Sequence, residues 1–194
     1  MRSTPPGSVP PAVADGAFFL YYLCSMWNDT DAPIAYFISF RTYGTWLHGD
    51  ERGSIDRHNN IYGNPKNAPN KHWRQISYAR LKRKPVRLNA ARRRSVERAI
   101  REVCQKRGWI LFAINVRTNH VHIVVSAHAK KPSMALNAFK ANATREMRSD
   151  RAWASPDTPW ADRGSERWLW TQKHLSDAIE YVVNGQGGDL PDFD

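Results

Sequence analysis

The alternation of apolar and polar positions picks out seven segments of the 194-residue chain that can form regular structure. Residues 34–42 (Ile-Ala-Tyr-Phe-Ile-Ser-Phe-Arg-Thr) carry aromatics and isoleucines with little polarity before Arg41, the mark of a buried strand. Between 90 and 107 the apolar residues Ala91, Val96, Ala99, Ile100 and Val103 recur at helical spacing. Asn89 stands where a cap is wanted, and Gly108 where a helix ends. Two strands follow, 109–116 and 120–126, joined tightly through Arg117-Thr118-Asn119. Ser133 is placed to cap a second helix through about Met147, with Met134, Leu136, Phe139, Ala143 and Met147 as its apolar positions. Trp168-Leu169-Trp170 reads as a short strand, and Ser176 as the cap of a last helix closed by Gly185 and the Gly187-Gly188 pair.

The order strand, helix, strand, strand, helix, strand, helix predicts an α+β fold. Its first six elements match the split βαβ, ferredoxin-like arrangement: an antiparallel sheet with helices on one face, followed by a C-terminal helix. Such a sheet keeps its other face for a ligand or a covering helix. The expected domain covers 34–187, with residues 1–33 as a flexible or optional extension and 188–194 as a tail. Residues 1–16 hold Pro5, Pro6, Pro10 and Pro11. Residues 17–24 are apolar but far short of the ~18 residues a membrane span needs. Residues 43–88 form a long basic insertion, and its 43–70 part is rich in Gly, Asn, Asp and Pro. Two cysteines, Cys24 and Cys104, provide neither a disulfide framework nor a zinc clip, which points to a cytoplasmic protein with no membrane partner.

Charge changes the picture next. The formal net charge is +11, and the segment from Arg80 to Arg107 carries almost all of it, twelve basic residues against Glu97 and Glu102. Such a concentration suits a phosphate backbone. Arg80, Lys82, Arg83, Lys84, Arg87, Arg92, Arg93 and Arg94 are the expected DNA-contacting residues. A solvated helix face is the plainer reading of a charge run. Eight tryptophans and seven tyrosines add stacking surfaces for unpaired bases, although most fall in strand patterns and belong to the core.

In His120-Val121-His122-Ile123-Val124-Val125, period two puts both histidines on one face of a strand, about 7 Å apart along it. Two imidazoles so placed can converge on one metal ion. In the last helix Ala178, Ile179, Val182 and Val183 share an arc, while Tyr181 lies on its flank. Asn184 and Gln186 offer amide oxygens suited to a hard cation.

His120-Val121-His122 resembles the His-hydrophobic-His motif of the HUH single-tyrosine transposases, the group of insertion-sequence-200-type and REP-associated tyrosine transposases. The resemblance extends over about 34–187. It includes Asn115-Val116-Arg117-Thr118-Asn119 before the histidines, Leu136-Asn137-Ala138-Phe139-Lys140, Tyr181-Val182-Val183-Asn184-Gly185-Gln186, and Tyr43-Gly44-Thr45-Trp46-Leu47-His48-Gly49-Asp50-Glu51-Arg52-Gly53. It implies that Tyr181, on the C-terminal helix, is the nucleophile in cleavage and rejoining of single-stranded DNA through a 5′-phosphotyrosine. It also implies that His120, His122 and a third ligand hold Mg²⁺ or Mn²⁺, with single-stranded or hairpin DNA as partner and a homodimer as one assembly. Members of the family often place a metal-binding glutamine four residues after the tyrosine, where this chain has Gly185. Gln186 and Asn184 therefore both stand as third ligands, Gln186 being preferred. His48 and His174 are candidate bases. Two other classes fit parts of the pattern: a DNA-binding regulator without catalysis, and an RRM-like RNA-binding module, which lacks its usual Lys/Arg-Gly-Phe/Tyr run here.

Overall fold

The computed structural model describes residues 32–54, 65–128, 130–188 and 190. The chain divides after residue 32, and the account below concerns the second part. The Pro-rich and apolar stretches of residues 1–24, and 55–64 of the insertion, lie outside the described residues.

Four strands, β1 (Ala35–Arg41), β2 (Ile110–Val116), β3 (His120–Ser126) and β4 (Ser165–Leu169), make one antiparallel sheet in the order β2-β3-β1-β4. This is the spatial order of the ferredoxin-like, split βαβ fold. The alternation of strand side chains sends Tyr36, Ile38, Phe40, Val121, Ile123 and Val125 to one face. There they meet Val96, Ile100 and Val103 of helix α2 (Ala90–Arg107) and Leu136, Phe139 and Met147 of helix α3 (Pro132–Ser149). The other face presents Ala35, Phe37, Ala113, Val124 and Leu169 to a smaller cluster, closed by Leu175 and Val182 of helix α4 (Gln172–Val183). The last helix thus covers the sheet face that α2 and α3 leave open.

α2 begins and ends as the pattern predicts. The Asn89 side chain accepts the Arg92 N–H, and Gly108 takes the left-handed conformation (φ 64°) that closes the helix. Three boundaries differ from the sequence expectation, and one helix is additional. Helix α3 starts at Pro132, whose fixed φ suits a first helical position, so Ser133 lies inside the first turn and caps nothing. Helix α4 starts one turn earlier than Ser176: the Thr171 side chain accepts the His174 N–H, while the Ser176 hydroxyl donates back to the Lys173 carbonyl. β4 runs from Ser165 to Leu169, and Trp170 lies just past it. The insertion contains a further helix, α1 (Lys71–Ala79), capped by the Asn70 side chain on the Trp73 N–H. No residue of α1 is buried. No helix among the described residues is long and apolar enough to cross a membrane.

Candidate functional site

On the α4 side of the sheet, β3 contributes His120 and His122, and β1 contributes Ser39 and Arg41 as their direct cross-strand partners. The histidine rings stand edge to face with centroids 4.6 Å apart, closer than the strand repeat alone brings them. Each ring is held from one nitrogen. His122 Nδ1 is 2.6 Å from Ser39 Oγ, and His120 Nδ1 is 2.7 Å from Asn119 Oδ1. A carboxamide oxygen only accepts, so His120 carries its proton on Nδ1 and turns the lone pair of Nε2 outward.

Gln186 faces that lone pair. Its Oε1 lies 3.3 Å from His120 Nε2, and its NH₂ group donates to the Tyr181 carbonyl at 3.1 Å, which fixes the amide orientation. Two acceptors therefore face each other, an arrangement that a cation between them would satisfy. Asn184 ends α4, and its side chain donates to Glu180 at 2.9 Å instead. The turn after the helix explains how Gln186 arrives. Gly185 passes so close to Tyr181 that a Cβ there would sit 2.7 Å from the Tyr181 carbonyl oxygen and 3.0 Å from its ring. Glycine at this position lets the chain fold back tightly and deliver the next side chain to the histidines.

Tyr181 belongs to the same cluster. Its ring is 5.6 Å from that of His122 and 5.9 Å from Phe37, edge to face in both contacts, and it is 48% exposed. Substrate therefore has access to it. Val182 beside it is fully buried, and Asn115 of β2 donates its side-chain N–H to the Val182 carbonyl at 3.0 Å, pinning this turn of α4 to the sheet. Arg117 likewise holds the Gly188 carbonyl at 3.1 Å.

Electrostatics keep the histidines neutral. Burial pushes His122 down to about 4, helped by the charge His120 would carry and opposed by a hydrogen bond that the protonated ring would give to Gln186. His120 is lowered too, first by burial and then by the positive charges of Arg117 and Arg52, against a hydrogen bond to Gln186 that raises it. Neutral imidazole is the form that binds metal. Among the described residues no three His, Cys, Asp or Glu side chains gather into a metal-holding group, so any third donor to the His pair has to be of another kind, such as the Gln186 amide.

The model of the IS200-like transposases matches residues 73–181, from within α1 to Tyr181, and takes in both histidines. The chain belongs to this family. Two solved structures are similar to this chain. One is a REP-associated tyrosine transposase bound to a REP hairpin, at 13% identity and a TM-score of 0.44, covering 76% of this chain. This chain spans 63% of that protein's length. The other is a protein of Deinococcus radiodurans R1 assigned to the transposases, at 12% identity and a TM-score of 0.41, covering 83% of this chain and 96% of its own. No curated protein matches the chain.

The basic segment occupies a different part of this transposase-family chain. α2 packs on the sheet face opposite the histidines. Several of its cations serve the fold: Arg92 holds the Ala152 and Arg87 carbonyls and lies over Trp153, and Arg93 reaches the Leu88 carbonyl. Arg83 reaches the Thr158 carbonyl and lies over Tyr43. Arg80, Lys82, Lys84, Arg87 and Arg94 are exposed. Of the candidate bases, His48 stacks on Trp73 with centroids 5.0 Å apart, and His174 sits exposed in the first turn of α4. The sequence reading missed Ser39, Asn119, Arg41, Arg52 and Arg117. Asn119, adjacent to the motif, and Arg41, ending a buried strand, were open to notice. Ser39 needed the register to be known.

Proposed function

We propose that this chain cleaves and rejoins single-stranded DNA, free or beside a hairpin, with Tyr181 as nucleophile and with His120, His122 and Gln186 as holders of a divalent cation. The observation that carries this reading is the meeting of His120 Nε2 and Gln186 Oε1, each oriented by its other end, beside the ring of Tyr181. The donor set fits the group. Two neutral imidazoles and one amide oxygen suit Mn²⁺, and Mg²⁺ with more water in its shell.

The Tyr181 oxygen attacks the phosphorus of a phosphodiester and its phenolic proton passes to solvent. The P–O3′ bond breaks, the released 3′ oxygen takes up a proton, and the 5′ end stays on the tyrosine. The reverse attack by a 3′-hydroxyl rejoins a strand and frees the tyrosine. A divalent cation, when bound, polarises the phosphodiester and offsets the charge on the attacking oxygen. The chain itself orients the pieces: Phe37 and His122 bracket the tyrosine ring, Ser39 and Asn119 set the imidazoles, and the Tyr181 carbonyl aims Gln186. All of these groups belong to one chain, so a single copy is sufficient for the site and a dimer is not required. The exposed Arg80, Lys82, Lys84, Arg87 and Arg94 supply backbone contacts.

The test is covalent capture. Incubated with Mn²⁺ and single-stranded DNA from the flanks of its own gene, the wild-type protein becomes attached to a 5′ end. Tyr181→Phe keeps the ring packing and forms no adduct, and EDTA prevents the adduct in the wild type. An adduct that persists in Tyr181→Phe overturns the assignment of the nucleophile. No adduct on any flanking strand, with DNA binding intact, favours the regulator reading.

A further inference from the structure

The loop after β1 builds a second charged group next to the His pair. Trp46 is its centre. Three cations surround its indole ring: Arg41 at 5.9 Å, Arg52 at 5.3 Å and Lys66 at 4.9 Å from the ring centroid. The residue itself is held in the left-handed region (φ 51°), an outlier for a bulky side chain that persists only where its surroundings impose it. They do so here. The indole N–H donates to the Gly53 carbonyl at 2.6 Å, and the Trp46 carbonyl accepts from Arg41 at 3.0 Å. Gly49 and Gly53 allow the loop to close against α1 and Lys66: a Cβ at Gly49 would lie 2.3 Å from the Asn70 carbonyl oxygen, and one at Gly53 2.8 Å from Lys66 Cβ.

The charge of this group is only partly cancelled. Asp50 takes Arg52 through two hydrogen bonds, 2.8 and 3.1 Å. Arg41 and Lys66, both exposed, have no carboxylate partner among the described residues. An aromatic ring orients a cation without neutralising it, unlike a carboxylate, so the side chains are ordered while their charge remains available. Position completes the case. Arg41 is the cross-strand partner of His120 on the same sheet face, and it shares the Trp46 ring with Arg52 and Lys66.

Resting on the function proposed above, we propose that Arg41 and Lys66, ordered with Arg52 around Trp46, grip the DNA strand by two phosphates adjoining the one presented to Tyr181. This group would fix the register of the strand relative to the His pair, which gives the β1 loop a role in choosing the cleaved bond.

The test measures binding of fluorescein-labelled oligo(dT) across a salt series, in the Tyr181→Phe background so that no chemistry intervenes. Loss of two phosphate contacts lowers the magnitude of the slope of log K against log salt by about 1.4 for a single strand. Arg41→Gln/Lys66→Gln gives that drop. Lys106→Gln/Arg107→Gln, which removes the same formal charge at the far end of α2, leaves the slope within error. An unchanged slope for the first pair, or an equal drop for both pairs, overturns the proposal. Single variants Arg41→Lys and Lys66→Arg, which keep the charge, recover most of the slope and rule out misfolding as its cause. The adduct assay on wild-type protein is independent: its failure with the slope change intact sinks the nuclease reading and leaves the phosphate site standing.

Discussion

Removing the Ser39 hydroxyl tests whether the site depends on how its histidines are held. Ser39→Ala deletes the 2.6 Å contact to His122 Nδ1 at a half-buried position. In the folded protein His122 Nδ1 loses its partner, at about 1 kcal/mol for an ordinary hydrogen bond and up to about 3 if water cannot replace it. The imidazole also becomes freer to turn, so it meets the cation in the right orientation only part of the time. Partners that orient a metal-bound histidine typically contribute 10–100-fold to affinity. The half-buried setting, which admits some water, argues for the lower part of that range, a loss of about tenfold or roughly 1.4 kcal/mol. The assay is Mn²⁺ titration by calorimetry on Tyr181→Phe protein, with thermal unfolding beside it. Asn119→Ala is the parallel case for His120, because the backbone carbonyl that accepts the Thr42 N–H remains in place. Wild-type Mn²⁺ affinity in both variants would refute the idea that these contacts prepare the imidazoles.

Two further outcomes follow from the same geometry. Gly185→Ala places a Cβ 2.7 Å from the Tyr181 carbonyl oxygen, so the turn must open, and both Mn²⁺ affinity and adduct yield fall about tenfold or more while thermal stability, set by the larger core, changes little. Unchanged affinity would mean that Gln186 is no ligand. In EDTA the metal-free protein loses stability on acidification. His122 titrates near 6.5 unfolded and about 4 folded, so the unfolded state binds more protons between those values and stability falls as pH drops from 6.5 to 4. The loss is on the order of 3 kcal/mol by the size of the shift. Urea unfolding at pH 7 and 4.5 measures it, and His122→Gln removes most of the difference.

The parts of the fold that sequence made legible are those where one face of an element meets a core. β3 alternates from His120 to Ile123 before Val124 and Val125 follow each other, and α2 places Val96, Ile100 and Val103 on one stripe. The arrangement of strands and helices could be read from those segments because their apolar positions recur at strand or helix spacing. Helix α1 buries nothing and is only nine residues long, and β4 is an edge strand with Leu169 as its one buried residue, so neither shows the run of core positions that marks the other elements. The misplaced helix starts have another cause. Ser133 and Ser176 are good capping residues, but Pro132 and Thr171 reach the starting position first, and only one residue can occupy it.

The site divides in the same way. Its histidines stand two apart on one strand and declare themselves by spacing, and Tyr181 shows as the polar-tipped residue on the flank of an apolar helix. What completes them comes from register and from turns, which spacing does not encode. Ser39 lies opposite His122 only because β1 pairs with β3 at that register, and a slip of one residue would put Phe40 or Ile38 there. Gln186 breaks the expected helical interval of four, and it reaches His120 because the helix has already ended at Asn184 and Gly185 lets the chain fold back on Tyr181. Net charge locates less than spacing does, for a related reason. Counting cations along the chain singles out the 80–107 segment; its helical part, α2, packs on the face of the sheet opposite the histidines, and Arg92 and Arg83 hold carbonyls of the 152–158 segment. The three arginines nearest the histidines, Arg41, Arg52 and Arg117, are scattered through the sequence and form no run. Where charge acts is decided by which face a side chain occupies, and only the sheet's pairing reveals that.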